Sequence, residues 1–341
     1  MFRIVEECGT ARTGLIKVGK ITLETPAFLP VATKGVIKTL TPEEAKKAGC
    51  KAIIVNSLHI YRRAFEIVCK QGIHSFMKWE GIIFSDSGGF QSIKNFPSHT
   101  IDEGIIFSMP DGAKEILSPE KCIEIQKKIG SDFIFMLDDC PSYPYSKKRV
   151  EKSVERTISW AKRSIGDNIF SIVQGGIYED LREKCAKELA KIDFYGYAIG
   201  GLCIGEEKKD MIKIVEFTAN LLPYEKPRHL MGVGSPEDIE ICVKYGIDIF
   251  DSAFPTRNAR HGTIFTSKGK ISLGKKKIKG DAIDENCNCY ACNNFSLDYL
   301  NYLFMENEML AQRLATIHNL YFMNKFMENL REKIKEGKIW L

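Results

Sequence analysis

The sequence IDIFDSA, residues 247–253, is a short β-branched and aromatic run that carries a carboxylate, Asp251, near its end. Seven comparable apolar runs precede it, and most of the intervals between them fit one amphipathic helix. The runs are TPAFLPVAT (25–33), KAIIVNS (51–57), GIIFSDS (81–87), DFIFMLD (132–138), IFSIVQG (169–175), GYAIGG (196–201) and RHLMGVG (228–234). Eight strand and helix units predict an α/β fold, a (β/α)8 TIM-like barrel.

Three of the predicted helices have marked starts, in which a hydroxyl side chain precedes proline and acidic residues follow. They begin at Thr41-Pro42, Ser118-Pro119 and Ser235-Pro236, and such residues cap the first turn of a helix. The interval 87–131 is longer than one helix requires. We therefore expect an inserted hairpin or lid between the third and fourth units.

Length and composition suit one large folded domain, alone or with a small appendage. The chain has 341 residues, of which 44% are hydrophobic and 27% are charged, enough apolar material for a substantial core. No apolar stretch approaches the roughly 20 residues of a membrane helix, and the N-terminus lacks the apolar run of a signal peptide. We expect a cytoplasmic protein without membrane contacts, whose eleven cysteines are mostly reduced thiols.

Positive charge is concentrated in one segment, although the net charge is only +5. Six lysines follow Arg257 and Arg260 within a short stretch: Lys268, Lys270, Lys275, Lys276, Lys277 and Lys279. Such a stretch suits the docking of a polyanion. A solvated lysine-rich loop is the alternative.

Three carboxylates, Asp86, Asp138 and Asp251, lie at the ends of predicted strands. The C-terminal strand ends of such a barrel form its active site, so the three should meet at one mouth. A single Asp after a strand is usually a turn former or helix cap, but three together can divide acid, base and nucleophile roles. Neither His229, at the start of its run, nor the isolated His59 indicates a catalytic metal. Paired carboxylates without a metal fit glycosyl transfer.

Glycine pairs follow three of the predicted strands, at 88–89, 175–176 and 200–201. Glycine lets the backbone approach a ligand closely. The pairs therefore favour a flat ligand whose carbonyl oxygen is held by backbone N–H groups.

The spacing Cys287-x-Cys289-x-x-Cys292, followed by His318, predicts a zinc site. Four protein ligands leave no open coordination position, so this Zn2+ would be structural. Three free cysteines that lie close in sequence are the alternative. We expect residues 1–280 to form the catalytic barrel and residues 281–341 to form a zinc-binding, helical C-terminal subdomain packed on it.

An aromatic stripe follows the cysteines, with Phe295, Tyr299 and Tyr302 at helical spacing. Packing within the chain and a homodimer interface are both consistent with it.

Six motifs, taken together in their order and spacing, resemble the tRNA-guanine transglycosylases of the bacterial type over nearly the whole chain. They are SDSGGFQ (85–91), DDCPSYP (138–144), IVQGG (172–176), GGLCIGE (200–206), LMGVG (230–234) and FDSAFPTR (250–257). The resemblance implies a pentosyltransferase that exchanges guanine at wobble position 34 of GUN-anticodon tRNAs (Asp, Asn, His and Tyr) for the 7-deazaguanine base preQ1, a step of queuosine biosynthesis. It implies that Asp251 forms a covalent intermediate with the ribose and that Asp86 is the general acid and base.

By the same resemblance, one set of residues binds the base. Asp138 would accept hydrogen bonds from the base N1–H and exocyclic amine, and Gln174 and the Gly201 N–H would hold its carbonyl oxygen. Phe90 and Met231 would enclose the faces of the base, with plain core packing as the alternative. The implied set is Asp86, Ser87, Gly88, Gly89, Phe90, Asp138, Cys140, Gln174, Gly201, Leu202, Glu206 and Met231.

The resemblance also implies contact with the anticodon loop of tRNA, where Arg257 and Arg260 suit phosphates and base edges. The implied contact residues are Gly232, Val233, Gly234, Ser235, Pro236, Glu237, Asp238, Thr256, Arg257, Asn258, Ala259 and Arg260. The family pattern further implies one structural zinc per subunit, held by Cys287, Cys289, Cys292 and His318, and a homodimer.

The choice of base depends on a few positions. By the family pattern, Ile204, with Cys140, implies the small aminomethyl group of preQ1 rather than the cyclopentenediol of queuine, and Leu202, through its carbonyl, and Glu206 match the family's positions that accept an ammonium group. Phe90 in place of a usual Tyr, and DDCPSYP in place of an acid-Cys-Thr-Pro run, depart from the common bacterial pattern. A queuine-using salvage enzyme is therefore the alternative.

Two further readings come from other functional classes. A barrel hydrolase of a small N-glycoside would use the same carboxylates and ignore tRNA, whereas a pure RNA-binding module would tolerate Asp251→Asn.

Overall fold

The structure is a computed structural model that describes residues 2–89 and 98–340. In the described residues the strands are β1 (Phe2–Cys8), β2 (Ala11–Val18), β3 (Ile21–Thr25), β4 (Ala27–Pro30), β5 (Ala52–Asn56), β6 (Ile82–Asp86), β7 (Ser98–Ile101), β8 (Gly104–Ser108), β9 (Lys114–Leu117), β10 (Phe133–Phe135), β11 (Ile169–Val173), β12 (Gly196–Ile199), β13 (Arg228–Met231), β14 (Ile249–Ser252), β15 (Thr263–Thr266) and β16 (Gly269–Ser272). The helices are Pro42–Lys47, Ser57–Gln71, Ile73–Met77, Pro119–Ile129, Lys147–Ala161, Glu179–Ala190, Lys208–Ala219, Pro236–Lys244, Phe254–Arg260, Tyr290–Asn294, Leu297–Met305 and Met309–Lys335.

Eight strands form one parallel sheet in the order β4-β14-β13-β12-β11-β10-β6-β5. A parallel bridge between Val31 and Ile54 joins the two outer strands. The sheet therefore closes into the predicted barrel, and each of the eight predicted runs contains one of its strands.

Aromatic rings fill the interior of the barrel. Phe84, Phe135 and Phe170, from neighbouring strands, lie with ring centroids 5.3–6.4 Å apart and are fully buried. Such contacts stabilise the core by dispersion and by removing apolar surface from water. The layer of rings closes the barrel below its C-terminal mouth, where the site lies.

The predicted helix starts are confirmed. Thr41 and Glu44 form a reciprocal capping box, and the hydroxyls of Ser118 and Ser235 accept from the backbone N–H groups of Lys121 and Asp238. These caps satisfy N–H groups that have no partner within the first helical turn.

The predicted insertion is also confirmed and forms a three-stranded antiparallel sheet, β7-β8-β9. It is tied to the barrel through Asp102, whose carboxylate accepts from Arg156 at 2.7 Å and whose carbonyl accepts from the Trp160 indole at 2.7 Å. Both partners lie on the helix Lys147–Ala161 that follows β10. The insertion is thereby fixed beside the third and fourth barrel units.

Two elements outside the barrel pack against it. The sheet β1-β2-β3 is joined to the barrel by a buried ion pair, Arg12 to Asp248 at 2.6 Å. The helix Met309–Lys335 packs on β1, β2 and β4, and it buries Met323, Met327 and Leu330. The long terminal helix is thus part of the same core as the barrel.

No helix of residues 2–89 and 98–340 has the length and apolar character required to cross a membrane.

Candidate active site

Six neighbouring strands bring the predicted base-binding and catalytic residues to one arc of the C-terminal mouth. In sheet order they are β6, β10, β11, β12, β13 and β14. Along this arc lie, in the same order, Asp86, Asp138, Gln174, Gly201, Met231 and Asp251. The other two barrel strands, β4 and β5, supply none of the predicted residues.

Asp251 lies on the last barrel strand and is held from below by a histidine. Its Oδ1 is 2.7 Å from Nε2 of His229, on the neighbouring strand β13. The His229 side chain is fully buried, whereas 13% of the Asp251 side chain is exposed. The carboxylate therefore faces the mouth while its position is fixed from within the barrel.

His229 is a buried residue of the barrel interior. Its place at the start of a run is correct, but the ring points into the barrel, beside Phe84 and Phe135. Residues two apart on a strand face the same side, so His229 lies under Met231, and Met231 pairs with Asp251. That spacing was the available signal for a histidine on the face of β13 that Met231 occupies.

Asp86 ends β6 in a turn that glycine makes possible. Its Oδ1 accepts from the Gly88 N–H at 3.2 Å, and its carbonyl accepts from the Ser57 hydroxyl at 2.8 Å. Gly88 has a φ of +83°, and a Cβ there would lie 2.4 Å from the Leu58 Cβ. The Ser87 hydroxyl accepts from the Gly89 N–H at 3.3 Å. The predicted base-stacking residue Phe90 lies outside the described residues.

Asp138 is the most deeply buried of the three carboxylates, with 6% exposure. Burial, reinforced by the charges of Asp86 and Asp139, raises the pKa of Asp138 to about 7, although a hydrogen bond from Gln174 lowers it. That bond joins Gln174 Nε2 to Asp138 Oδ2 at 2.7 Å. The carboxyl thus exchanges a proton near neutral pH, within reach of the charge of Asp86.

Gln174 is held with unused hydrogen-bonding capacity. Its Oε1 is buried and has no partner among the described residues, and its amide nitrogen carries a second N–H besides the one donated to Asp138. Gly201 leaves room for this side chain, because a Cβ there would lie 2.3 Å from Gln174 Oε1. A ligand with both donor and acceptor groups can satisfy these atoms.

Arg182 fixes the loop that carries Gln174. The buried guanidinium donates to the carbonyls of Gly176 at 2.9 Å and Val173 at 2.8 Å. Gly175 packs against the Arg182 backbone, where a Cβ would lie 2.7 Å from its nitrogen. The second glycine pair therefore serves loop packing at Gly175, whereas the third, through Gly201, serves the site.

Asp139 anchors the loop that carries Asp138 and Cys140. Its buried carboxylate accepts from Arg149 at 2.9 and 2.5 Å and from Arg156 at 3.3 Å. Because Arg156 also binds Asp102 of the insertion, the insertion and the base-pocket loop share one ionic network. Cys140 is 4% exposed, and burial raises the pKa of its thiol, which keeps it neutral.

The loop after β12 is closed by Glu206. Its carboxylate accepts from the backbone N–H groups of Cys203, Ile204 and Gly205. Leu202 is buried beside it. The loop therefore brings a carboxylate close to Leu202 and to the rim of the arc.

The chain matches one family of known enzymes along nearly its whole length. The sequence profile described as Queuine tRNA-ribosyltransferase matches residues 7–341. A Queuine tRNA-ribosyltransferase of Thermoanaerobacter sp. (strain X514) is 46% identical, covering 96% of this chain and 91% of the relative. Those of Thermodesulfovibrio yellowstonii, at 45% identity, and Francisella tularensis subsp. novicida, at 44%, each cover 99% of this chain, and 92% and 95% of the relative. The chain belongs to the queuine tRNA-ribosyltransferase family.

Family membership confirms the predicted resemblance, and it makes the protein a transferase that modifies tRNA in the queuosine pathway. The carboxylate arc therefore belongs to an enzyme.

In this queuine tRNA-ribosyltransferase family member, the two segments predicted to contact RNA adjoin the arc. Residues 232–238 follow β13, and residues 256–260 lie in the helix that follows β14. Val233, Thr256 and Ala259 are buried, whereas Arg257 is exposed. Arg260 has a buried Nη1 without a partner among the described residues. Burial and then the charge of Arg257 lower its pKa, so an anion there would be stabilised.

The lysine stretch is exposed, as the solvated-loop alternative requires. Lys268 pairs with Glu285 at 2.8 Å and Lys270 with Glu237 at 3.1 Å. Within the described part of the chain, the remaining four make no ion pair: Lys275, Lys276, Lys277 and Lys279. Their charges stay available to a polyanion.

The predicted metal ligands come together in the family member as one cluster. Their ligand atoms all lie within 4.8 Å of one another, and His318 Nδ1 is 3.7, 3.6 and 3.2 Å from Sγ of Cys287, Cys289 and Cys292. Tetrahedral zinc, with bonds of about 2.3 Å to sulfur and about 2.0 Å to nitrogen, has ligand-to-ligand edges of roughly 3.4–3.8 Å. His318 Nε2 lies 2.6 Å from the Phe265 carbonyl, which fixes the tautomer that turns the Nδ1 lone pair to a metal.

The aromatic stripe beside the metal cluster differs slightly from its predicted helix. Phe295 precedes the helix Leu297–Met305, which Ser296 caps, and the rings of Phe295 and Tyr299 stack at 5.6 Å. Tyr299 and Tyr302 are 40% and 52% exposed.

Proposed function

We propose that this enzyme exchanges guanine 34 of GUN-anticodon tRNAs for preQ1 through a covalent intermediate at Asp251. The observation that carries the proposal is the arc of strand ends, in which Asp251 and Asp86 flank a set of groups suited to a guanine-like edge. The family assignment supports the reaction class.

The first displacement begins at Asp251, whose position above His229 leaves one carboxylate oxygen directed to the mouth. That oxygen attacks C1′ of the ribose, and an ester bond forms as the C1′–N9 bond breaks. The electron pair of the broken bond goes to the departing guanine, which receives a proton from Asp86. The enzyme now holds the tRNA covalently, so the activation of the ribose is conserved.

The second displacement reverses these steps with another base. Asp86 removes the N9 proton of the incoming preQ1, N9 attacks C1′, and the C1′–O bond to Asp251 breaks. Asp251 is restored as a carboxylate and Asp86 as an acid. Two inversions at C1′ retain its configuration.

Asp138 and Gln174 select the base in this proposal. The ionised Asp138 accepts from N1–H and the exocyclic amine, while Gln174 and the Gly201 N–H bind the carbonyl oxygen. Adenine would leave the buried carboxylate of Asp138 without donors, which penalises its binding strongly. Met231 covers one face of the base in this proposal, the other face is assigned to Phe90 from the sequence alone, and Ser87, Gly88 and Gly89 form the turn beside the base.

The choice of preQ1 rests on the loop that Glu206 closes. The Leu202 carbonyl and the Glu206 carboxylate would receive the aminomethyl ammonium group, and buried Cys140, with Ile204, limits the space for a larger substituent. A queuine-using enzyme is the second candidate, favoured only by the unusual Phe90 and DDCPSYP.

We assign the RNA contacts to residues 232–238 and 256–260. Exposed Arg257 and the unpartnered Nη1 of Arg260 support phosphate contact there, and the exposed lysines 275–277 extend the positive charge. The target guanine must leave the anticodon loop to reach the arc, which costs little in a partly unstacked loop.

We propose zinc as the metal of the cysteine cluster, because thiolates and imidazole at tetrahedral edges match its preferences. All four ligands come from the protein, so the role of the zinc is structural.

We also propose a homodimer through Tyr299 and Tyr302. Replacing both by Ser should give monomers in sedimentation velocity, whereas the control Ile165→Ser, at an exposed residue elsewhere, should leave the oligomeric state unchanged.

The deciding experiment measures incorporation of labelled guanine and labelled preQ1 into an unmodified GUN tRNA. Both labels should enter the RNA, and denaturing gels should trap a covalent complex with the native enzyme. Asp251→Asn should bind the tRNA without forming that complex. Binding of tRNA with no incorporation by the native protein would refute the proposal. If unlabelled queuine, but not unlabelled preQ1, competed with the label, the salvage candidate would be favoured.

A further inference from the structure

His229 is the partner that the structure gives to the Asp251 carboxylate. Its Nε2 lies 2.7 Å from Oδ1, and within residues 2–89 and 98–340 no hydrogen bond to Oδ2 occurs. One oxygen of the carboxylate is therefore engaged from below, and the other is left to the mouth.

The other ring nitrogen of His229 decides which tautomer is present. Nδ1 is buried and has no hydrogen-bond partner in the described part of the chain. If Nδ1 carried the only proton, a buried N–H would lack an acceptor, and the Nε2 lone pair would face the carboxylate at 2.7 Å. The arrangement requires the proton on Nε2, so His229 donates to Asp251.

Three aromatic rings hold the imidazole in place. The ring centroids of Phe84, Phe135 and Phe170 lie 6.2, 5.1 and 6.3 Å from that of His229. They offer no polar group that competes for its nitrogens. Because the rings fix the imidazole and its N–H has one acceptor, His229 orients the Asp251 carboxylate.

We propose that His229 is a positioning residue for the nucleophile, an inference that rests on the proposed transglycosylation. Its Nε2–H holds Oδ1 of Asp251 so that Oδ2 forms the bond to C1′ as the C1′–N9 bond breaks. In the second displacement, the C1′–Oδ2 bond breaks and the electron pair returns to the carboxylate. The same N–H then stabilises the negative charge that reaches Oδ1.

Three substitutions separate donation from packing. His229→Phe retains an aromatic ring in the aromatic layer but removes the donor, His229→Gln places an amide N–H at a reach similar to Nε2, and His229→Asn places one too short to reach Oδ1. We expect His229→Phe to slow single-turnover formation of the covalent tRNA complex by about a hundredfold, with little change in KM for tRNA. His229→Gln should recover most of that loss, and His229→Asn should not.

The outcomes distinguish the two levels of the inference. If native enzyme incorporates guanine and His229→Phe, folded by its melting curve, forms the covalent complex at the native rate, His229 has no positioning role. If the native enzyme itself incorporates no guanine, the proposed function fails. Equal rates for His229→Gln and His229→Asn would also overturn the positioning role.

A measurement that needs no activity tests the same point. In 15N-labelled enzyme, the ring nitrogens of His229, assigned by their loss in His229→Gln, should show a protonated Nε2 and a bare Nδ1. The opposite tautomer would overturn the proposal even if every histidine variant were inactive.

Discussion

Asp138 combines burial with a role that requires charge. Burial raises its pKa from the usual 3.8 to about 7, yet a base edge with two N–H donors binds only the ionised carboxylate well. A protonated Asp138 carries an O–H group that faces the N–H groups of the base, so the hydrogen bonds between them are lost.

Base binding should therefore weaken on the acid side of neutrality. As pH falls below about 7, we expect KM for guanine to rise by about tenfold per pH unit, as steady-state incorporation can measure. Asp138→Asn should have a high KM that no longer depends on pH in this range. A constant KM in the native enzyme from about pH 8 to about pH 5 would contradict the assignment.

Protonation of Asp138 does not unfold the enzyme at acid pH, so unfolding through Asp138 cannot account for the expected rise in KM. Asp138 has a folded pKa above its unfolded value, so the stability it contributes is present at acid pH and is lost as pH rises through about 7. Acidification thus strengthens the fold at this residue while it weakens base binding. Melting curves recorded beside the kinetics separate the two.

At the residue scale, the sequence predicted that three carboxylates meet at the mouth of the barrel, but it did not predict the contact of His229 with Asp251. A polar residue after an apolar run stands out, which is why Asp86, Asp138 and Asp251 were predicted as site residues. His229 lies at the start of its run, and its place two residues before Met231 was a weak signal, so its contact with Asp251 became evident from the pairing of β13 with β14.

Among the elements, the turn after β12 depends on a glycine in two separate ways. Gly201 has a φ of +66°, which disfavours any side chain, and a Cβ would lie 2.3 Å from Gln174 Oε1. Gly19, in the turn between β2 and β3, has a φ of +54°, but a Cβ added there would meet no atom within 4 Å. Substitutions at Gly201 and Gly19 therefore distinguish the effect of backbone strain from that of steric conflict with Gln174.

The two alanine variants should therefore have similar backbone strain but different KM values for guanine. Gly201→Ala and Gly19→Ala should each lower the free energy of unfolding by about 1 kcal/mol from the backbone alone. Only Gly201→Ala should raise KM for guanine, by about tenfold or more, because Gln174 must move. An equal KM in both variants would show that Gln174 does not contact the base.

The metal cluster links distant elements through one histidine. His318 belongs to the terminal helix, its Nε2 contacts the Phe265 carbonyl on β15, and its Nδ1 faces the three cysteines. Loss of the metal should loosen β15 and the helix Phe254–Arg260 that precedes it.

Removal of one ligand should thus lower metal content and stability together. Cys292→Ser should retain less zinc by elemental analysis and melt at a lower temperature, because metal binding contributes folding free energy. Cys69→Ser is the matched control, since Cys69 is exposed and lies outside the cluster. Full zinc content in Cys292→Ser would contradict the ligand assignment.

For the whole molecule, periodic apolar runs were enough to predict the barrel, because each parallel strand is buried on both faces and reads as continuous hydrophobic sequence. The sheet β1-β2-β3 was not predicted, since its first strand is largely exposed and its pattern is weak. For the terminal helix, the sequence predicted only a place within the helical subdomain, residues 281–341. Its buried Met323 and Met327 belong to the same hydrophobic core as the barrel strands, which a sequence pattern alone does not reveal.

During synthesis, the helix Met309–Lys335 emerges from the ribosome after every barrel strand, yet it contacts β1, β2 and β4, which are among the first four strands to emerge. These strands therefore remain without the terminal helix until it emerges, and the apolar surface that it covers stays exposed for that interval. Ribosome-bound chains stopped at Asn307 should be cleaved by protease within β1–β4, and released full-length chains should resist. Equal resistance would show that the barrel completes its core without this helix.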